Sequence, residues 1–224
     1  MSHGQNGFKA SHLKCCVPHE SQPETNAMTE PDIHDHRRHR RFPERLAFTL
    51  NNPIRRFLEP PERLISKLAL RPSEVVMDFG CGPGFHTIPL ARIASRTIAV
   101  DVSQRMLEKT ASNARKSGVK VELARSDGID LKLADGSVDL VFLHHVFHEI
   151  ENKPGVLKSF LRIIKPSGRL VIVERTHGSR LLAGRLGPPI IDQMEVAQEI
   201  ERTGFAVMQT ILHGNDSAIV GRKP

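Results

Sequence analysis

The residues best able to do chemistry lie in a few short stretches. The first is Asp78-Phe79-Gly80-Cys81-Gly82-Pro83-Gly84, which closes the apolar run that starts at Val75. Glycines at this spacing let the backbone turn tightly and come close to a ligand. A helix starting just beyond them adds free N–H groups. Two nucleotide motifs fail here. The dinucleotide fingerprint G-x-G-x-x-G meets Phe85 where its last glycine belongs, and no lysine follows as a P-loop requires. What stands is an acid just before the glycines, badly placed for a pyrophosphate and well placed for a cation or an amine. The second stretch ends in Asp101, 23 residues after Asp78, at the tip of the apolar run Thr97-Ile98-Ala99-Val100. A carboxylate at such a tip can take both hydroxyls of a ribose. The third is Ser126-Asp127-Gly128. One such acid is an ordinary cap or turn residue. Three of them at successive strand tips, beside a glycine loop, point to a ligand with an amine and a nucleoside.

A fourth stretch, Leu143-His144-His145-Val146-Phe147-His148-Glu149, leaves another apolar run. Histidine titrates near neutrality, so it can remove a proton from an oxygen or carbon acid. A helix starting at Phe147 would put His144 and His148 on one face, as base or substrate-orienting groups. The competing reading makes them helix-start and packing residues, and His145 is the one read as structural. The same run, and His34-x-His36-x-x-His39, have donors suited to Zn²⁺. The second tract has no scaffold around it, so no metal is expected.

The elements that must hold these residues follow from periodicity. A short helix is expected from Pro43 to Leu50 and another from Pro61, with Leu64, Ile65 and Leu68 at helical spacing. Five strands are expected at 75–79, 97–101, 119–124, 138–143 and 170–174. Helices at 87–93, 104–117 and 153–164 alternate with them, the second stopped at Gly118 and the third at Pro166-Ser167-Gly168. This alternation implies a doubly wound, mostly parallel α/β sheet, and the near-continuous apolar strands imply cover on both faces. A helix over 194–203 precedes strands at 205–212 and 217–221, which His213-Gly214-Asn215-Asp216 joins as an antiparallel hairpin. The total is seven strands.

The motifs together resemble a known family. Val76–Gly84, Val100-Asp101-Val102-Ser103-Gln104-Arg105-Met106-Leu107, Asp135-Gly136-Ser137-Val138-Asp139-Leu140-Val141 and Leu161–Leu170 are similar to the class I S-adenosylmethionine (SAM)-dependent methyltransferases. The branch is the small-molecule one that includes ubiquinone and menaquinone C-methyltransferases, and the likeness runs over about residues 60–224. It implies a Rossmann-like sheet and SAM as cofactor. It assigns Asp78, Gly80, Cys81, Gly82 and Gly84 to the methionine moiety and Asp101 to the ribose hydroxyls. Val102 and Met106 would flank the adenine. Asp127, within Ser126–Gly128, would take the adenine amino group. His144 would border the cofactor as well as the acceptor. The implied activity is methyl transfer to a small or lipid-like acceptor. The alternatives are a non-catalytic SAM-binding or basic interaction protein, and an enzyme that uses SAM differently on the same fold.

Composition bounds the rest. The chain has 224 residues and a net charge of +7. It has no Trp and no Tyr, so the aromatic platforms that hold single-stranded nucleic acid are scarce, which argues against such a partner. No apolar run reaches the length of a membrane span, and Met1–Lys14 lacks the apolar core of a secretory signal. Three cysteines, two of them adjacent at Cys15-Cys16, make no disulfide framework, so a cytoplasmic location is expected. Only Cys81 lies in the core region, which disfavours a metalloid substrate. Residues 1–33 lack apolar periodicity and read as a disordered tail. Residues 34–70 read as a basic arm, with seven Arg against two acids from His34 to Arg56. That arm is either a solvated face or a lid in which Arg55, Arg56 and Arg63 meet an anionic acceptor. Residues 71–224 are expected to form the SAM-binding domain.

Overall fold

A computed structural model describes residues 60–178 and 189–224. The expected tail over 1–33, the helix over 43–50 and Arg55 and Arg56 lie outside the described residues.

Helix α1 (Pro61–Lys67) opens the described chain, with Pro61 in its first turn and Leu64 and Ile65 buried. Proline suits that position because its missing N–H has no partner there anyway. Strand β1 (Val75–Phe79), helix α2 (Thr87–Ala91), strand β2 (Arg96–Asp101), helix α3 (Gln104–Lys116) and strand β3 (Glu122–Arg125) follow. Ser103 caps α3 by accepting from the N–H of Met106. Gly118, at φ 66°, stands just beyond its end, as the sequence predicts. Strand β4 (Val138–His144), helix α4 (Lys153–Ile163), strand β5 (Ile164–Arg175), helix α5 (Gln193–Thr203), strand β6 (Ala206–His213) and strand β7 (Asp216–Arg222) complete the chain.

The seven strands form one sheet in the order β3-β2-β1-β4-β5-β7-β6. The first five pair with one another in parallel, and β7 runs antiparallel to both β5 and β6. The expected doubly wound sheet with a terminal hairpin is therefore the fold observed. Burial explains why the strands read as continuous apolar runs. On one face Met77, Val141, Leu143 and Ile172 pack with Val156, Leu157 and Phe160 of α4 and Val196 and Ile200 of α5. On the other, Val76, Leu140, Phe142, Val171 and Val173 pack with Leu64 and Ile65 of α1 and Leu90 of α2. Alternate residues of each strand thus serve opposite cores.

Two local expectations differ. Pro166-Ser167-Gly168 does not separate α4 from its strand. It lies inside β5, where the pairing with β4 shifts register between Val138 and Leu140 and Ser167 takes φ 62°. The extra residues form a bulge, so the turn chemistry of the motif is spent inside the ladder. The segment after β4 is a single 3₁₀ turn, Phe147–Glu149, and not a helix continuing from it. His145 sits at φ 55° between the two. His144 and His148 therefore do not share a helical face.

Arg169 on β5 ties α1 to the sheet. Its Nη2 donates to both carboxylate oxygens of buried Glu74 at 3.0 Å, and its Nη1 donates to the carbonyl of Leu68 at 2.5 Å. No helix among the described residues is long and apolar enough to cross a membrane.

Candidate active site

The carboxyl edge of the parallel strands collects the acids and histidines singled out above. The glycine loop is shaped from both sides. Gly80, Gly82 and Gly84 take φ of 71°, 53° and 88°, values that side chains resist. The N–H groups of Gly80 and Cys81 donate to the carbonyl of Val100 at 2.8 and 3.0 Å. From α3, Thr110 donates to the carbonyl of Gly82 and Asn113 to that of Pro83, both at 2.8 Å. A Cβ on Gly80 would lie 2.4 Å from a methyl of Val146, so the histidine-bearing segment after β4 packs directly on this loop. A Cβ on Gly82 would meet nothing within 4 Å. The loop is therefore closely walled at Gly80 and open at Gly82.

Asp101, at the end of β2, faces that opening. Its Oδ2 accepts from the N–H of Gly82 at 2.8 Å and its Oδ1 from the N–H of Ser103 at 2.9 Å. These two bonds fix the carboxylate plane beside the open glycine. Asp78, at 2% exposure, is the buried acid of the set. Thr87 donates to its Oδ2 at 2.5 Å, and among the described residues no basic side chain pairs with it. Burial pushes its pKa up to about 7, the Thr87 hydrogen bond opposes the rise, and the negative charge of Asp101 adds to it. A carboxyl held this way gains most from a bound cation. Cys81 is a packed thiol. Burial, then Asp78 and Asp101, raise its pKa well above the ordinary value, so it is no nucleophile at neutral pH.

The remaining cofactor candidates are spread along the same edge. Val102 is exposed at 42% and Met106 is buried at 6%. Asp127 is exposed, and its Oδ1 accepts from the N–H of Ile129, while the hydroxyl of Ser126 accepts from the N–H of Gly128. A Cβ on Gly128 would come within 2.8 Å of the Phe79 ring, so close packing fixes this turn.

The histidines divide into two groups. His148 turns its Nδ1 to the carboxylate of Glu174 at 2.9 Å, and its backbone N–H donates to the same carboxylate at 3.2 Å. Glu174 is fully buried at the end of β5. Burial alone would lower the pKa of His148, but the hydrogen bond and charge of Glu174, helped by Glu149, outweigh it and raise the value above the ordinary one. With Nδ1–H donated to Glu174, the neutral ring carries its lone pair on Nε2. His144 and His145 go elsewhere. The His144 ring stacks 4.1 Å from His86 and 4.0 Å from His145. Both His144 and His145 approach Asp216 at the start of β7.

Sequence reasoning missed Glu174, Asp216 and His86. An acid ending the apolar run Leu170–Val173 is the same signal that singled out Asp78 and Asp101, and it would have found Glu174. Asp216 is read from sequence only as a turn residue, and only the inserted hairpin brings it to this edge.

Residues 77–172 match the family model described as "Methyltransferase domain". A SAM-dependent methyltransferase from Aquifex aeolicus superposes with a TM-score of 0.74 at 25% identity, over 82% of this chain and 100% of that one. A demethylmenaquinone methyltransferase from Tropheryma whipplei is 33% identical over 116 residues, 52% of this chain and 48% of its own length. Residues 77–172 carry a methyltransferase domain, similar to those of SAM-dependent methyltransferases. A SAM-dependent Diels-Alderase from Talaromyces variabilis is also similar, 26% identical over 157 residues, 66% of this chain and 51% of its own. The chain spans about half the length of these curated relatives.

The methyltransferase domain implies SAM as cofactor, and its residues fit that group. The buried carboxyl of Asp78, with no basic partner among the described residues, suits an ammonium, the open Gly82 suits close approach of a ligand, and the fixed carboxylate of Asp101 suits vicinal hydroxyls.

Proposed function

We propose that this protein transfers the methyl group of SAM to a small or lipid-like acceptor, with His148 removing the acceptor's proton. SAM would supply an activated methyl group on a sulfonium, and the protein supplies placement and proton handling. Asp78 would hold the amine of the methionine moiety, Asp101 the ribose, and Val102, Met106 and Asp127 the adenine. Proton removal matters for an oxygen or carbon acceptor, whose nucleophile is the deprotonated form.

The observation that carries this reading is the His148–Glu174 pair. A fully buried glutamate that spends both carboxylate oxygens on one histidine fixes the ring's tautomer and orientation. It also stabilises the imidazolium that forms when Nε2 takes a proton. This revises the balance between the two sequence candidates. His148 is the better base, and His144 belongs to a separate cluster. A quinol-like acceptor is in keeping with the demethylmenaquinone methyltransferase relatives. Arg63, exposed on α1, would face the acceptor only if the basic arm acts as a lid.

The experiment is transfer of radiolabel from [methyl-¹⁴C]SAM into metabolite and lipid extracts containing reduced quinones. Labelled product with wild-type protein, and a loss of about 10²–10⁴ in rate for His148→Ala, supports the reading. Full turnover in His148→Ala would remove His148 from the chemistry. The Diels-Alderase relative favours one rival, an enzyme that binds SAM without spending its methyl group. That rival predicts SAM binding with no label transferred to any acceptor.

A further inference from the structure

We propose that His144, His145 and Asp216 form a binding site for one divalent transition-metal ion. One donor atom from each of the three lies within 4.8 Å of the other two. The Nε2 of His145 is 3.1 Å from Oδ1 of Asp216, and the Nε2 of His144 is 3.7 Å from Oδ2. Metal bonds of about 2.1 Å put neighbouring ligand atoms about 3.0 Å apart in an octahedron and about 3.4 Å apart in a tetrahedron. The two histidine–aspartate separations lie within about 0.3 Å of one or other value, and the remaining donor pair lies within 4.8 Å, so an ion would draw the three side chains together by a modest amount.

Two further observations separate this cluster from an ordinary histidine–aspartate contact. The first is backbone. Successive residues of a strand point to opposite faces, so His144 and His145 should not meet. They meet because His145 leaves the strand at φ 55°, a conformation that a residue with a Cβ adopts at a cost. The turn leaves its N–H bonded to the carbonyl of Val173 at 2.8 Å and swings its ring to 4.0 Å from that of His144. Such strain is retained where the surrounding structure has a use for the result. The second is the contact itself. The Nε2 of His145 is buried and makes no hydrogen bond among the described residues, although the carboxylate of Asp216 is only 3.1 Å away. Donor and acceptor are close but not aligned along an N–H···O line. An ion seated between them would satisfy both groups.

The donor set names the class of ion. Two imidazoles and one carboxylate favour Zn²⁺, Fe²⁺ or Co²⁺ over Ca²⁺ and Mg²⁺, which prefer all-oxygen cages. Three protein ligands leave open positions, the pattern of sites that also take water or a substrate atom. The glycine loop lies close by, through His86, which follows Phe85 and stacks on His144 at 4.1 Å. The sequence flags His144 and His145 as possible Zn²⁺ donors but not the third ligand, which comes from the far hairpin. The inference concerns metal binding and stands apart from the acceptor chemistry proposed above.

Cobalt(II) is the probe, added to the full-length protein after chelation and dialysis. The His34→Ala/His36→Ala/His39→Ala variant accounts for the histidines of the arm. The expected result is one Co²⁺ per chain with visible d–d absorption, kept in the arm variant and weakened at least tenfold in His145→Ala and in Asp216→Asn. S-adenosylhomocysteine binding, measured calorimetrically on the same samples, reports whether each variant remains folded and tests the cofactor site independently. X-ray absorption of Zn²⁺ bound to the arm variant requires no change at the site, and two imidazole ligands are expected there. The proposal is overturned if the wild-type protein shows no saturable Co²⁺ binding. It is equally overturned if binding is lost in the arm variant, or if the zinc spectrum contains no imidazole.

Discussion

Asp78 allows the sharpest prediction, because its environment couples folding, pH and cofactor binding. Its pKa rises from 3.8 to about 7 on folding. The folded protein therefore holds a proton that the unfolded chain has released between those values. Stability from this group is present at low pH and is lost as pH rises toward 7. Going from pH 5.5 to pH 8 should cost about 2 kcal/mol at this one site, since one pKa unit corresponds to about 1.4 kcal/mol. Asp78→Asn removes the ionisation and keeps an oxygen to accept from Thr87. Urea unfolding of both proteins at pH 5.5 and pH 8 isolates the effect, because other titrating groups cancel in the difference. The variant should gain about 2 kcal/mol on the wild type between the two pH values. S-adenosylhomocysteine should show the mirror image. Its amine pairs with the ionised carboxyl, only about one thirtieth of which exists at pH 5.5, so apparent affinity should rise up to about thirtyfold by pH 8 in the wild type alone. A stability difference that is the same at both pH values would refute the burial argument, and a pH-independent affinity would remove Asp78 from the cofactor site.

His148 and Glu174 should set the pH dependence of turnover. The base works when neutral, so the rate should rise with pH through a midpoint above the ordinary histidine value, and Glu174→Gln should move that midpoint down, as pH–rate profiles of the two proteins will show. Glu74→Ala should destabilise the fold by about 3 kcal/mol in chemical denaturation, because it leaves the guanidinium of Arg169 without its partner at a largely buried site. Gly80→Ala should lower both stability and cofactor affinity, since its Cβ would strike Val146 and its φ of 71° resists a side chain. Thermal melts with and without S-adenosylhomocysteine check both effects.

Much of this fold is legible in the sequence because its signals are local. The apolar strands, the capping Ser103, the stop at Gly118 and the Gly/Asn/Asp turn before β7 each act over a few residues, and each is where the pattern places it. The glycine loop and Asp101 are legible for the same reason, since both sit at strand ends that periodicity defines. The histidines are harder. His148 finds its partner 26 positions away on β5. His144 and His145 find theirs on β7, which the chain inserts between β5 and β6. No periodicity reports that insertion. The positive φ of His145 also has no sequence signal, because only tertiary contacts make a histidine adopt it. The helix expected at Phe147 fails for that reason, and with it the pairing of His144 with His148 on one face.

Calorimetric titration of the full-length protein with S-adenosylhomocysteine, and separately with NAD, tests the cofactor site most directly. S-adenosylhomocysteine should bind with one site per chain, and Asp101→Ala should weaken it at least tenfold through the loss of charged hydrogen bonds worth about 1.5–3 kcal/mol. NAD should not bind, because Phe85 stands where its pyrophosphate requires a glycine. Binding of NAD without S-adenosylhomocysteine, or an affinity unchanged in Asp101→Ala, would contradict the assignment of this edge to SAM.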